Sequence, residues 1–145
     1  MTFVLSDRVD DSPEPVELWE VTLDPTDQDA TDEVLAENPF NEIAEGRTAA
    51  MVPVTLTYVG PEAGDPWLDL DFRFVGTDGN TYSAGPDDFC GVIPNDLADR
   101  GEMFPGATVT GNVCHAVPDD VIDGGAWMVV LTFAWDDQRV FVSVD

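Results

Sequence analysis

Residues 49–60 read AAMVPVTLTYVG. Ala50, Val52, Val54, Leu56 and Tyr58 share one parity, and Thr55 and Thr57 hold the other. Side chains of an extended chain point to alternate faces, so this period of two predicts a strand buried on one side. Pro53 has no N–H to give to a ladder, which predicts an edge or a bulge there. Residues 67–76, WLDLDFRFVG, repeat the pattern. Leu68, Leu70, Phe72 and Phe74 are expected to point inward, and Asp69, Asp71 and Arg73 outward.

Working outward, VELWEVTL (16–23) alternates with Trp19, Val21 and Leu23 on one face. Residues 24–46 are long and turn-rich, with room for one helical turn near Asp32 to Glu37. Asp78-Gly79 is a hairpin signal, with Thr81 to Ser83 as the short return strand. ATVTGNVCHAV, AWMVVLTF and RVFVSV complete the series, the last two joined by a turn at DDQ, 136–138. No segment holds a helical period. Six to eight strands separated by Gly, Pro and Asp clusters predict an all-β chain folded as an antiparallel β-sandwich. MVVLTF would be hazardous at an open edge and is expected in a central strand. Residues 1–15 are acidic and end in prolines, and are expected to form a flexible acidic tether before a domain spanning 16–145.

Composition limits the function. The chain has 145 residues, 30 acidic side chains, five arginines, no lysine and a formal net charge of -25. Nucleic-acid binding relies on Lys and Arg releasing counterions from phosphates, and five scattered arginines form no such stripe. An anionic membrane surface would repel the chain. The charge is expected to serve mainly solubility. No apolar run reaches the ~18 residues of a membrane span, and MTFVLSDRVDD has neither a basic leader nor a long apolar stretch.

Two cysteines, Cys90 and Cys114, leave three readings. They form one disulfide, remain as two free buried thiols, or join His115 at a metal. The first is favoured for an exported domain, because the number is even. The last is disfavoured, because zinc asks for four ligands and only His115 is near. On simple alternation Cys114 lies with Thr108, Thr110 and Asn112, opposite Val109, Val113 and Val117. A bridge would then pin the 87–104 loop across the outer face of a sheet, unless a bulge at Gly111 reversed the facing.

Several segments together resemble a known group: NPFNEIAEG (38–46), VPVTLTYVG (52–60), GTDGNTYS (76–83), CGVIPNDL (90–97) and MFPGATVTGNVCHAVP (103–118). The set is similar to an actinobacterial family of secreted proteins and lipoproteins of unknown function, related to the mycobacterial immunoprotective extracellular antigen. The match spans roughly residues 16–145. The resemblance implies an immunoglobulin-like sandwich, export, a tether or lipid anchor upstream of residue 16, and a Cys90–Cys114 bridge. It implies no catalytic residues. The chain departs from the anchored members in lacking a leader and a lipid-bearing cysteine.

A nucleophilic triad needs a base beside its nucleophile. The one histidine, His115, sits on a strand next to a cysteine, and the serines Ser6, Ser12, Ser83 and Ser143 lie in a tail, a turn and the last strand. A structural role for His115 is expected. Thirty acids make close carboxylate pairs unavoidable, but no aromatic-rimmed cleft of a glycosidase is legible. Calcium is the sharpest metal hypothesis. Asp24, Asp27, Asp29, Asp32 and Glu33 crowd one loop, and Ca²⁺ takes six to eight oxygens. The spacing does not fit an EF-hand. Trp19, Trp127 and Phe133 are expected in the core. Trp67 and Trp135 sit beside turns and are candidates for packing or for binding a partner. The expectation is a non-enzymatic binding domain outside the cell or at its envelope, contacting an unknown protein or small ligand, as a monomer or weak dimer. A calcium- or ligand-binding accessory domain using residues 24–33 is the alternative.

Overall fold

The computed structural model describes residues 1–9, 13–135 and 138–145. It is a sandwich of two four-stranded sheets. The strands are β1 (Thr2–Asp7), β2 (Val16–Leu23), β3 (Arg47–Tyr58), β4 (Leu70–Val75), β5 (Thr81–Tyr82), β6 (Thr108–Pro118), β7 (Ala126–Leu131) and β8 (Arg139–Ser143). Short helices α1 (Thr31–Glu37) and α2 (Pro66–Asp69) and two single 3-10 turns sit in the connections. The sheet orders are β1-β2-β3-β6 and β5-β4-β7-β8, and every pairing is antiparallel. Strand β3 beside β6 and strand β4 between β5 and β7 reproduce the B–E and C–F pairings of an immunoglobulin core, with β8 as G and β2 as A. Strand β1 is added outside β2.

The parity read in the sequence decides what is buried. Ala50, Val52, Val54 and Leu56 of β3 meet Leu70, Phe72 and Phe74 of β4, with Trp19, Val21 and Trp127, in the main core. Phe74 and Trp127 meet edge to face at 5.2 Å. The outer face of β3 is covered too. Ala49 and Met51 pack under Ala30 and Val34 of α1, with Cys90 and Ile93, in a second apolar cluster. Pro53 lies inside a central strand, where a missing N–H would leave a ladder unpaired. Its carbonyl accepts from Asp24 N at 3.0 Å, so its nitrogen faces the same side, and β2 has already ended there at Leu23. The proline thus falls at a local edge, as expected.

Three expectations need correction. The first is the tether. Thr2–Asp7 form an edge strand on β2, with a register shift between Leu5 and Ser6. Leu5 is fully buried and Phe3 packs against the core. Two apolar residues at alternate positions suffice for an edge strand, and the acidic residues after them masked the signal. The part of the tether at 10–12 lies outside the described residues. Second, WLDLDFRFVG is not all strand, because Trp67 and Leu68 belong to α2. Asp65 caps that helix, accepting from Trp67 N and Leu68 N. Pro66 fills its first position, where no N–H is needed. Leu68 is therefore exposed rather than inward. Third, Phe133 is not core. Strand β7 stops at Leu131 and Phe133 is 82% exposed. The chain is drawn away because Trp135 N donates to both oxygens of the buried Asp7 carboxylate, at 3.2 and 3.1 Å. Gly111 carries no bulge and keeps its place opposite Val54, so the facing given by simple alternation stands. In the hairpin expected at 136–138, Asp136 and Asp137 lie outside the described residues.

Candidate functional site

The site is built on β6, which is the open edge of its sheet. An unpaired edge strand invites pairing with another chain. Here the long connection from β5 to β6 covers it. Asn112 N donates to Asn95 O at 2.7 Å and Ala116 N to Asp88 O at 2.9 Å. Arg100 donates to the Thr110 carbonyl at 3.0 Å and to the Asn95 side chain. Gly111 makes the approach feasible, since a Cβ there would lie 2.7 Å from Leu97 Cα. Asn112 Nδ2 donates to Pro94 O at 2.8 Å.

Three further devices hold the cover. Cys90 and Cys114 are joined as a disulfide with Cα atoms 6.1 Å apart. The bridge lies on the outer face of the sheet, in the cluster with α1, as alternation had placed it. Asn41, from the NPFN segment, accepts from Val92 N at 2.9 Å and donates to Val34 O at 2.8 Å. At the loop's start, Asp88 pairs with Arg47 at 2.7 Å. Its other oxygen accepts from Ser83 N and Gly85 N, both at 2.9 Å. Burial pushes the Asp88 carboxyl up, but the bonds from Arg47, Gly85 and Ser83 outweigh it and hold the group below the usual carboxylate range.

Between this cover and the sandwich lies a cleft of about 320 Å³. Leu70 and Phe72 of β4 form one wall and Val113 and the disulfide another. Ile93 and Leu97 close it from the loop. Its lining includes Trp67 from α2 and Phe89 from the loop, which are 66% and 73% exposed. The polar groups in the lining are few: Asp71, Ser83, Asp96, Asn112 and His115. Apolar walls with a few fixed polar groups are the usual make-up of a ligand site.

The polar groups differ in how far they are already engaged. Asp71 is held by Arg73 at 2.7 Å. Asp96 caps the 3-10 turn Leu97–Asp99 by accepting from Ala98 N at 2.9 Å. Burial raises its carboxyl above the ordinary value. His115 points inward from β6, and its Nε2 lies 2.8 Å from Phe72 O. A carbonyl only accepts, so Nε2 carries the proton. Burial lowers the imidazole below its usual value. Ser83, His115 and Asp88 come near one another, a juxtaposition that the sequence did not suggest. They do not form a relay: Nε2–H is given to Phe72, and both Asp88 oxygens are taken by Arg47 and by backbone amides.

The other candidates fall elsewhere. Asp24, Asp27, Asp29, Asp32 and Glu33 are all exposed, at the end of the sandwich where β2 leaves its sheet. Asp27 accepts from Asp29 N and Asp29 from Thr31 N, so two of the five carboxylates organise their own loop. Among the described residues no group of three or more His, Cys, Asp or Glu side chains is arranged to hold a metal. Trp67 and Trp135 lie at the opposite end, in the β3–β4 and β7–β8 connections, which Thr132 N joins by donating to Asp69 O at 2.9 Å. Trp135 is 77% exposed. Phe104 and Phe133 are exposed at the same end. The cleft residues Phe89 and Asp96 were missed because strand periodicity says nothing of a loop that folds back over an edge.

No family model matches the chain, and no curated protein does. Among solved structures, it is similar to the 2.2 Å crystal structure of a conserved hypothetical protein from Bacillus anthracis. The two are 13% identical, with a TM-score of 0.51 over 98% of this chain and 97% of that one. A likeness at that identity speaks to the sandwich fold alone.

Proposed function

We propose that this chain is a non-enzymatic binding domain that works outside the cell or at its envelope and takes a small ligand in the cleft beside β6. The observation that carries this reading is the cleft itself, which joins apolar walls, two exposed aromatic rings and a half-buried carboxylate in one concave place. The setting is supported by the disulfide, since such bridges persist in oxidising compartments. Among the described residues no helix is long and apolar enough to cross a membrane. Kinship with the actinobacterial family of secreted proteins and lipoproteins, with a lipid anchor on the natural precursor, belongs to the same proposal. The engagement of His115 and Asp88 in structural bonds favours binding over catalysis.

The test is a screen of small apolar and amphipathic molecules read by amide and indole NMR. Concerted shifts at the Trp67 indole and the Val113 and Cys114 amides, with the Trp135 indole unmoved, support the reading. Shifts confined to Trp135 and its neighbours would move the site to the β7–β8 connection.

A further inference from the structure

We infer that the cleft selects an amphipathic cation, with its apolar body between the walls and its ammonium or guanidinium group at Asp96. The inference rests on the cleft being a ligand site and adds the chemistry of the ligand. The first consideration is size. A volume of about 320 Å³ accommodates roughly ten heavy atoms at ~30 Å³ each, the share of a water molecule in the liquid. The second is charge. Among the described residues the charged side chains of the lining are Asp71 and Asp96, with no arginine. Asp71 already has Arg73. Asp96 uses one oxygen on Ala98 N, and no hydrogen bond among the described residues engages the other.

The three classes of apolar ligand then separate. An anion meets an unpaired carboxylate inside a chain of net charge -25 and is repelled. A neutral molecule strips water from Asp96 without replacing it, and an unpaired charge is costly to desolvate. A cation supplies the missing partner. Trp67 and Phe89 line the same cleft, and a cation over an aromatic ring is attracted further. The raised carboxyl of Asp96 fits a group that lacks a compensating charge.

The experiment compares phenethylamine, phenethyl alcohol and phenylacetate by calorimetry, in about 0.5 M NaCl so that diffuse attraction to the acidic surface is screened. Phenethylamine is expected to bind one to one, at least tenfold tighter than the alcohol, and phenylacetate not to bind. Asp96→Asn keeps the capping oxygen and is expected to bring the amine to the affinity of the alcohol. Asp27→Asn with Asp29→Asn, at the far end, is expected to change neither. In the unaltered protein, the amine is expected to lower the midpoint at which the Asp96 carboxyl carbon titrates in NMR, whereas the alcohol does not. Equal affinities for amine and alcohol, or an amine indifferent to Asp96→Asn, overturn the selection by charge and leave the cleft as a neutral site. Binding by none of the three overturns the cleft reading as well.

Discussion

His115 of β6 donates its Nε2–H to the carbonyl of Phe72 in β4 at 2.8 Å, so a hydrogen bond ties one sheet directly to the other. The imidazole also lies against Trp127, with ring centroids 5.8 Å apart. It is half-buried where the two sheets face each other, and the neutral form is the one that fits.

That neutrality sets a pH dependence. The folded imidazole titrates below its usual value of 6.5. Between the folded and unfolded values the unfolded chain binds the extra proton, so stability rises with pH there. The contribution is complete above about pH 6.5 and is lost as pH falls toward the folded value. His115→Phe should remove this slope and cost about 1–2 kcal/mol at neutral pH, as one buried hydrogen bond is lost. Urea denaturation between pH 4 and 8 measures both. An unchanged slope would place the titrating group elsewhere.

Reduction of the disulfide should be felt locally and globally. Closing a loop of about 25 residues is worth ~3.5 kcal/mol in the chain-entropy model. Cys90→Ser with Cys114→Ser is expected to lower unfolding free energy by about that amount. Hydrogen exchange should accelerate most at Asn112 and Ala116, whose amides bond to the covering loop. Exchange that quickens evenly over all strands would refute a local role for the bridge.

The Arg47–Asp88 pair predicts an acid limb. Asp88 titrates below the ordinary carboxylate value, so its contribution is present above about pH 4 and is lost as pH falls through the folded value. Asp88→Ala strands the Ser83 and Gly85 amides and leaves the Arg47 guanidinium with the Ala116 carbonyl but no carboxylate, and should cost about 3 kcal/mol. The conservative Asp88→Asn should retain part of this and flatten stability below pH 4. Thermal melts across that range decide.

Calcium should give only weak heats that vanish in salt. Asp27 and Asp29 already accept from backbone amides, and the five carboxylates of the loop do not converge on one point. Calorimetry of the unaltered chain and of Asp27→Asn with Asp29→Asn checks this. A saturable isotherm lost in the double variant would restore the loop as a metal site.

Exposed and buried rings should differ in what they contribute to stability. Trp135→Ser and Phe133→Ser should leave the unfolding free energy within about 0.5 kcal/mol, as surface substitutions do. Trp127→Ala should cost about 3–5 kcal/mol by emptying the core. It also loses the bond from Nε1 to Thr26 at 3.0 Å. Chemical denaturation of the three variants tests the contrast.

What could be read from the sequence was whatever follows from alternation. Val52, Val54, Leu56, Phe72 and Phe74 announced their faces, because one sheet surface must be dry. The position of MVVLTF was also legible: β7 runs between β4 and β8. Capping chemistry was written in Asp65-Pro66 and Asp69 yet was overridden by a strand-like run of apolar residues. Strand β1 was hidden because an edge needs so little apolar surface. The cleft was illegible for a different reason. It depends on where a loop of irregular backbone lies, and the bonds that Asn95, Arg100 and Asn112 make between that loop and β6 follow no sequence period.

The covering loop has one more effect. By spending its own carbonyls on Asn112 and Ala116, it closes that margin to strand exchange with a second molecule. Lateral growth of the first sheet is steered toward its other flank, β1, and fibre-like stacking through β6 is opposed. The same strip of chain that guards this margin therefore also walls the adjoining hollow.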